Sequence, residues 1–168
     1  EGKHNDVPVI TGFTRDESSN DLRTATTLEE FRAAAQRLYG DKAEQLLRLY
    51  PAKSDADVAA AGAAAAREGG IFAQGARNWA IAQRRWGTKP VYLFVFSRVH
   101  PFNPNVTAAD HPERIGAYHT SDVPFWLQTL DALNMFRPTR LWTDDDRRLA
   151  RQMTDLLIAF ANTGKPNA

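Results

Sequence analysis

The chain has 168 residues, 43% of them hydrophobic, and a formal net charge of +1. That is one domain's worth with enough apolar content for a core, and the near-neutral charge gives no general case for nucleic-acid or membrane-surface partners. Cysteine is absent, which excludes disulfides, thiolate chemistry and cysteine-ligated metals.

The sequence opens on Glu1-Gly2-Lys3-His4, with no methionine and no signal peptide, and reads as an internal piece or a processed product. Val7-Pro8-Val9-Ile10-Thr11-Gly12 forms a strand candidate, with proline tolerated only near its start. The polar turn behind it carries Asp16 and Glu17, at the strand end where open α/β sheets build sites. Solvated turn acids are the competing reading. The strand and acid loop together take residues 7–20.

A helical block is expected over residues 27–86. Thr27 with Glu30 has the form of a capping box, and Leu28, Phe31, Ala35 and Leu38 recur at helical spacing. Gly40 and Pro51 punctuate the next turns, and Ser54 with Asp57 caps a segment from Asp55 to Arg67. Its alanines form helix readily and are expected to bury little. Beyond Gly69-Gly70 a fourth helix carries Ile71, Phe72, Ala76, Trp79 and Trp86 on one side, expected to be core, with Gly75 at a close helix contact.

Lys89-Pro90 introduces the apolar run Val91-Tyr92-Leu93-Phe94-Val95-Phe96, expected as a strand over residues 90–97. An unbroken apolar run implies helices on both faces of the sheet. A loop over residues 98–122 comes next and contains His119, placed as a general base would be. Of the other histidines, His100 and His111 read as loop residues, and the four together lack zinc-site spacing. Asn105-Val106-Thr107 fits a glycosylation sequon. Val123 to Leu133 is either a short helix or an irregular apolar arm. Thr143 with Asp146 caps a last helix over residues 143–162, carrying Leu149, Met153, Leu156, Leu157 and Phe160, and Gly164 and Pro166 stop it. Arg147, Arg148 and Arg151 read as a solvated helix face. There is no internal repeat, Walker motif, dinucleotide-binding glycine pattern, HExxH or membrane-length apolar run.

An acid after one strand and a histidine after a later one have the relative order of two members of a catalytic triad. The histidine accepts the nucleophile's proton and the acid orients its ring. No serine here stands in a Gly-x-Ser-x-Gly elbow: Ser18, Ser19, Ser54, Ser97 and Ser121 all lack the flanking glycines.

These segments resemble the C-terminal third of the type-B carboxylesterases, the family of para-nitrobenzyl esterases and cholinesterases. Asn5-Asp6-Val7-Pro8-Val9-Ile10-Thr11-Gly12-Phe13-Thr14-Arg15-Asp16-Glu17 is similar to the family's acid segment. Gly116-Ala117-Tyr118-His119-Thr120-Ser121-Asp122-Val123-Pro124-Phe125 is similar to its histidine segment, and Phe160-Ala161-Asn162-Thr163-Gly164-Lys165-Pro166-Asn167 echoes a late motif. The resemblance implies the C-terminal portion of an α/β-hydrolase fold, with a long helical insertion between strands, completed by upstream polypeptide. It implies Glu17, not Asp16, as triad acid, His119 as general base and Asp122 as a supporting acid behind them. Ser18 and Thr120 replace family glycines, Asp122 replaces a glutamate, and Ile158 stands where tryptophan is frequent.

The resemblance therefore implies a serine carboxylesterase acting on small-molecule esters, with no cofactor or metal. Phe102, Trp126 and Phe136 are candidate pocket walls for bulky or apolar esters. The serine and oxyanion hole are expected on an N-terminal portion, as a separate or nicked chain, leaving the isolated chain inactive. No nucleic acid or membrane span is expected, and secreted or periplasmic placement fits a family with many exported members. The rival readings are a non-catalytic esterase-like binding module and a helical scaffold with a structural His119.

Overall fold

The computed structural model describes residues 2–17, 20–105 and 115–167. Contacts divide the chain into two compact units, Glu1–Arg15 with Gly75–Ala168, and Asp16–Gln74.

In the first unit, β1 (Val9–Thr14) and β2 (Val91–Phe96) form a parallel two-stranded sheet in continuous register, from Val9 opposite Val91 to Thr14 opposite Phe96. Backbone bonds extend the ladder at both ends, from Val9 N–H to Pro90 O (3.0 Å) and from Arg15 N–H to Phe96 O (2.8 Å). Gly12 faces Phe94 in that register, and a Cβ on it would lie 2.4 Å from the Phe94 ring. The glycine is thus required by cross-strand crowding.

The register is clamped ahead of the strands. Asp6 accepts hydrogen bonds from the Thr88 N–H (2.9 Å) and hydroxyl (2.7 Å), from Lys89 N–H (3.1 Å) and from the Gln83 amide (3.0 Å). Donation from the Thr88 backbone and side chain, above all, holds its carboxyl well below the usual range. Gln83, 1% exposed, also donates to Lys89 O, and His4 Nε2 lies 2.9 Å from its amide oxygen.

One face of β2 is lined by helices. Short α6 (Val123–Trp126) and long α7 (Asp144–Thr163) supply Trp126 against Phe94, Phe125 against Phe96 and Phe160 against Tyr92. The opposite face leaves Leu93 and Val95 about half exposed, so cover on both faces is not met among the described residues. The capping box at Thr143 forms, and Asp146 within it is fully buried and bonded to Arg98 at 2.6 Å. Burial works to raise the Asp146 carboxyl, but donation from Arg98 and Thr143 outweighs it and the net shift is downward. Ile158 is exposed, so its exchange for the family's tryptophan leaves this core untouched.

The second unit is helical: α1 (Asp21–Thr24), α2 (Leu28–Tyr39), a 3₁₀ turn (Gly40–Lys42), α3 (Ala43–Leu49) and α4 (Asp55–Gly69). Capping boxes form at Thr27–Glu30 and Ser54–Asp57. Its core holds Leu22, Phe31, Ala34, Ala35, Ala43, Leu46 and Val58. The expectation that the alanines of α4 bury little is corrected, since Ala61, Ala65 and Ala66 are in the core. Their small size, with Gly62, lets α4 come so close to α1 that a Cβ on Gly62 would overlap the Leu22 carbonyl.

Helix α5 (Ile71–Trp86) corrects a second expectation. Its buried positions are Ala73, Ala76 and Gln83, while Ile71, Phe72, Trp79, Ile81 and Trp86 are exposed. Small side chains and one hydrogen-bonded amide occupy the inward stripe, so the aromatic stripe faces outward. Gly75 has nothing within 4 Å of a built Cβ and marks no close contact. Residues 123–133 resolve into α6 followed by a 3₁₀ turn, Leu130–Asn134. His111 and most of the sequon fall outside the described residues.

Replacing Asp6 with alanine should lower the thermal midpoint at pH 7. Because the folded pKa is depressed, the stability Asp6 contributes is present above its unfolded pKa of about 3.9 and is lost as pH falls toward the folded value. The gap between the thermal midpoints of the two proteins should therefore narrow as pH falls from 7 to 2.5. A difference independent of pH would contradict the clamp.

Candidate active site

The in-register parallel pair delivers the chain from Thr14 and Phe96 side by side at the carboxyl end of the sheet, where crevices form in open α/β folds. After β2 the chain is held down by a second strip of backbone bonds. Asn103 N–H donates to Thr139 O (3.0 Å), Leu141 N–H to Pro101 O (2.7 Å), and Phe102 bridges Arg140. The Arg140 guanidinium lies over the Phe102 ring at 3.9 Å.

The histidine segment has buried feet and an exposed tip. Ala117 and Ser121 are both 0% exposed, whereas His119 and Thr120 between them are exposed. A turn closes through Ser121 N–H to Tyr118 O at 2.9 Å. Thr120 takes the third position of that turn with φ +71°, a left-handed conformation that a β-branched residue adopts only at a cost. The glycine found there in the family motif has a physical reason, and this chain forgoes it. The turn then enters α6, whose Phe125 and Trp126 N–H groups donate to Asp122 O at 2.9 and 3.1 Å. Phe125, fully buried, is tilted against Phe96 and T-stacked on Trp142, and so anchors the segment.

Asp122 accepts from the Trp126 indole N–H at 3.0 Å. Two of the predicted site residues are therefore joined directly, one turn of helix apart, and Trp126 is packed edge-on against Phe94. Phe102 is capped by Arg140. Phe136 is 96% exposed and walls nothing among the described residues.

Asp16 and Glu17 belong to the other unit. There Asp16, its side chain 8% exposed, pairs with Arg67 at 3.5 Å, while its carbonyl accepts from the Arg23 guanidinium. Glu17 is half-buried. Among the described residues there is no group of three His, Asp or Glu that could hold a metal ion, and no helix long and apolar enough to cross a membrane.

His100 lies on the loop after β2, as expected, but its burial has no signal in the sequence: it is 2% exposed, its ring nitrogens engaged by Ser121 O, Tyr118 and Arg140. Its partners lie 18 to 40 residues further along the chain, and no local spacing signals such a contact.

A model of the carboxylesterase family matches residues 1–168. The chain is 29% identical, over 171 aligned positions, to the fumonisin B1 esterase of Sphingopyxis macrogoltabida, covering 99% of this chain and 29% of that protein. Among solved structures, a PNB esterase aligns over 95% of this chain and 30% of its own, at 25% identity and a TM-score of 0.56. A thermophilic PNB esterase aligns with the same coverage at 26% identity and a TM-score of 0.56. The chain thus spans less than a third of the length of these relatives.

Exchanging Thr120 for glycine should relax the turn and raise stability by ~0.5–1 kcal/mol, the left-handed strain less the extra flexibility of unfolded glycine. A raised midpoint in chemical denaturation checks this; an unchanged or lower one would mean that the threonine is accommodated without strain.

Proposed function

The chain belongs to the carboxylesterase family and has the C-terminal portion of an α/β-hydrolase fold, and from that premise we propose that it supplies the acid and the base of a serine carboxylesterase. His119 is the general base, Glu17 the triad acid, and the nucleophilic serine with its oxyanion hole lies on upstream polypeptide. The observation that carries the reading is the histidine turn: an exposed imidazole between two fully buried feet, beyond the carboxyl end of β2. A base must reach substrate yet hold its bearing, and this arrangement supports both.

The family motif gives the acid's role to Glu17, and two further observations favour the reading. No serine of the chain stands on a glycine-flanked elbow. The half-exposed Leu93 and Val95 on a two-stranded sheet support further polypeptide packing on the open face of β2, whether continuous with this chain or nicked from it.

The chemistry is acyl transfer in two steps. His119 removes the proton from the serine hydroxyl as its oxygen attacks the ester carbonyl, and backbone N–H groups stabilise the oxyanion. The protonated imidazole then passes its proton to the departing alkoxide. In the second step His119 takes a proton from water, which attacks the acyl-enzyme, and returns it to the serine as the acid leaves. Glu17 keeps the ring oriented and stabilises the imidazolium. Asp122, holding Trp126, supports the turn from behind, and Phe102 and Trp126 contribute to a substrate wall that upstream polypeptide completes. The substrate is a small-molecule carboxylic ester, the bond class named for the fumonisin and PNB relatives. A purely binding role would need neither Glu17 nor His119.

In the complete esterase, His119→Ala should lower kcat by about 10⁴-fold or more, and Glu17→Gln by about 10²–10⁴-fold, with KM changing far less. The isolated 168-residue chain should not turn over p-nitrophenyl acetate. Undiminished kcat in the His119 variant would remove the assignment, and activity of the isolated chain would remove the upstream serine.

A further inference from the structure

Beneath the turn that carries His119 sits a second histidine that this chemistry does not use. His100 lies four residues past β2 and is almost completely buried. Its ring lies among Trp142, Tyr118, Phe125 and Phe102, with centroids at 5.0, 5.1, 5.8 and 6.2 Å. Nε2 is 2.8 Å from the carbonyl oxygen of Ser121. A carbonyl only accepts, so Nε2 carries the hydrogen. Nδ1 is then the bare nitrogen, and it faces the Tyr118 hydroxyl at 3.1 Å and the Arg140 Nε–H at 3.3 Å. Arginine only donates. The neutral tautomer protonated on Nε2 therefore fits these contacts, with the Nδ1 lone pair shared between the two donors, and a second proton would point at a guanidinium.

Burial pushes the His100 pKa down, and Arg140 and Arg98 push the same way, against the bond to Ser121 and the more distant Asp146. These effects favour the neutral ring. The turn it touches is closed by the Ser121 N–H to Tyr118 O bond and carries Thr120 at positive φ.

We infer that His100 is a positioning residue: by donating Nε2–H to Ser121 O it fixes the Ser121–Asp122 peptide, the foot on which the Tyr118–Ser121 turn stands, and so the bearing of His119 toward the reacting atoms. This rests on the role proposed for His119. Positioning matters because a misplacement of ~1 Å at a reacting group costs on the order of 10²-fold in rate.

Two measurements on the complete esterase test it. Long-range ¹H–¹⁵N spectra at pH 7 should contain one histidine with Nε2 protonated and Nδ1 bare, a signal lost in His100→Gln. His100→Phe keeps a ring and loses both nitrogens; its kcat should fall about 10- to 100-fold with KM little changed. His100→Gln retains a side-chain N–H for Ser121 O and should recover most of that loss. A His100 ring protonated on Nδ1 overturns the inference, as does wild-type kcat in His100→Phe or an equal loss in both variants. If His100→Phe does not fold, the ring spectrum of the unaltered protein decides. Undiminished turnover in His119→Ala would instead remove the base assignment, and the ring spectrum still reads the His100 bond separately.

Discussion

The parallel pairing of β1 with β2 is the constraint on which the rest depends. It brings together segments separated by some eighty residues, and a slip of one residue would turn every side chain of a strand to the other face. Three features prevent that slip. Asp6 grips the Thr88–Lys89 turn at one end, Gly12 leaves room for the Phe94 ring in the middle, and Arg15 N–H closes on Phe96 O at the other end. Each belongs to a motif that resembles the carboxylesterase acid segment, and each now has a steric or hydrogen-bonding cause. With the register held, Tyr92, Phe94 and Phe96 all turn toward α6 and α7.

From this sheet the histidine segment takes its support. Phe125 and Trp126 reach back to Phe96 and Phe94, Asp122 ties the indole, and His100 reaches Ser121 from below. Asp146 caps α7 while bonded to Arg98, two residues past β2. Buried polar groups here have specific partners, as burial demands. The Ser121 hydroxyl is an exception, fully buried with no partner among the described residues. The resulting division is an anchored frame that carries His119 at a strained, exposed tip beside Thr120.

Much of this was legible in the sequence. Local rules found the capping boxes at Thr27, Ser54 and Thr143, the stops at Gly40 and Gly164, and the apolar run of β2. Motif resemblance found the family and its fold. Tertiary context decided the remainder. Whether an alanine-rich helix is core depends on how closely its neighbour approaches, which Gly62 against the Leu22 carbonyl settles for α4. The aromatic stripe of α5 has the right spacing for a core face, yet Ala73, Ala76 and Gln83 turn inward. The burial of His100 by Phe125 and Trp142 is not encoded near it.

The proposed division of the triad, with its base in this chain and its serine elsewhere in the polypeptide, can be tested by treating the purified esterase with a fluorophosphonate probe and mapping the modified peptide by mass spectrometry. A single adduct is expected on a serine outside these 168 residues, formed by the unaltered protein and nearly absent from the His119→Ala variant. An adduct on Ser54, Ser97 or Ser121, or labelling that ignores the loss of His119, would contradict it.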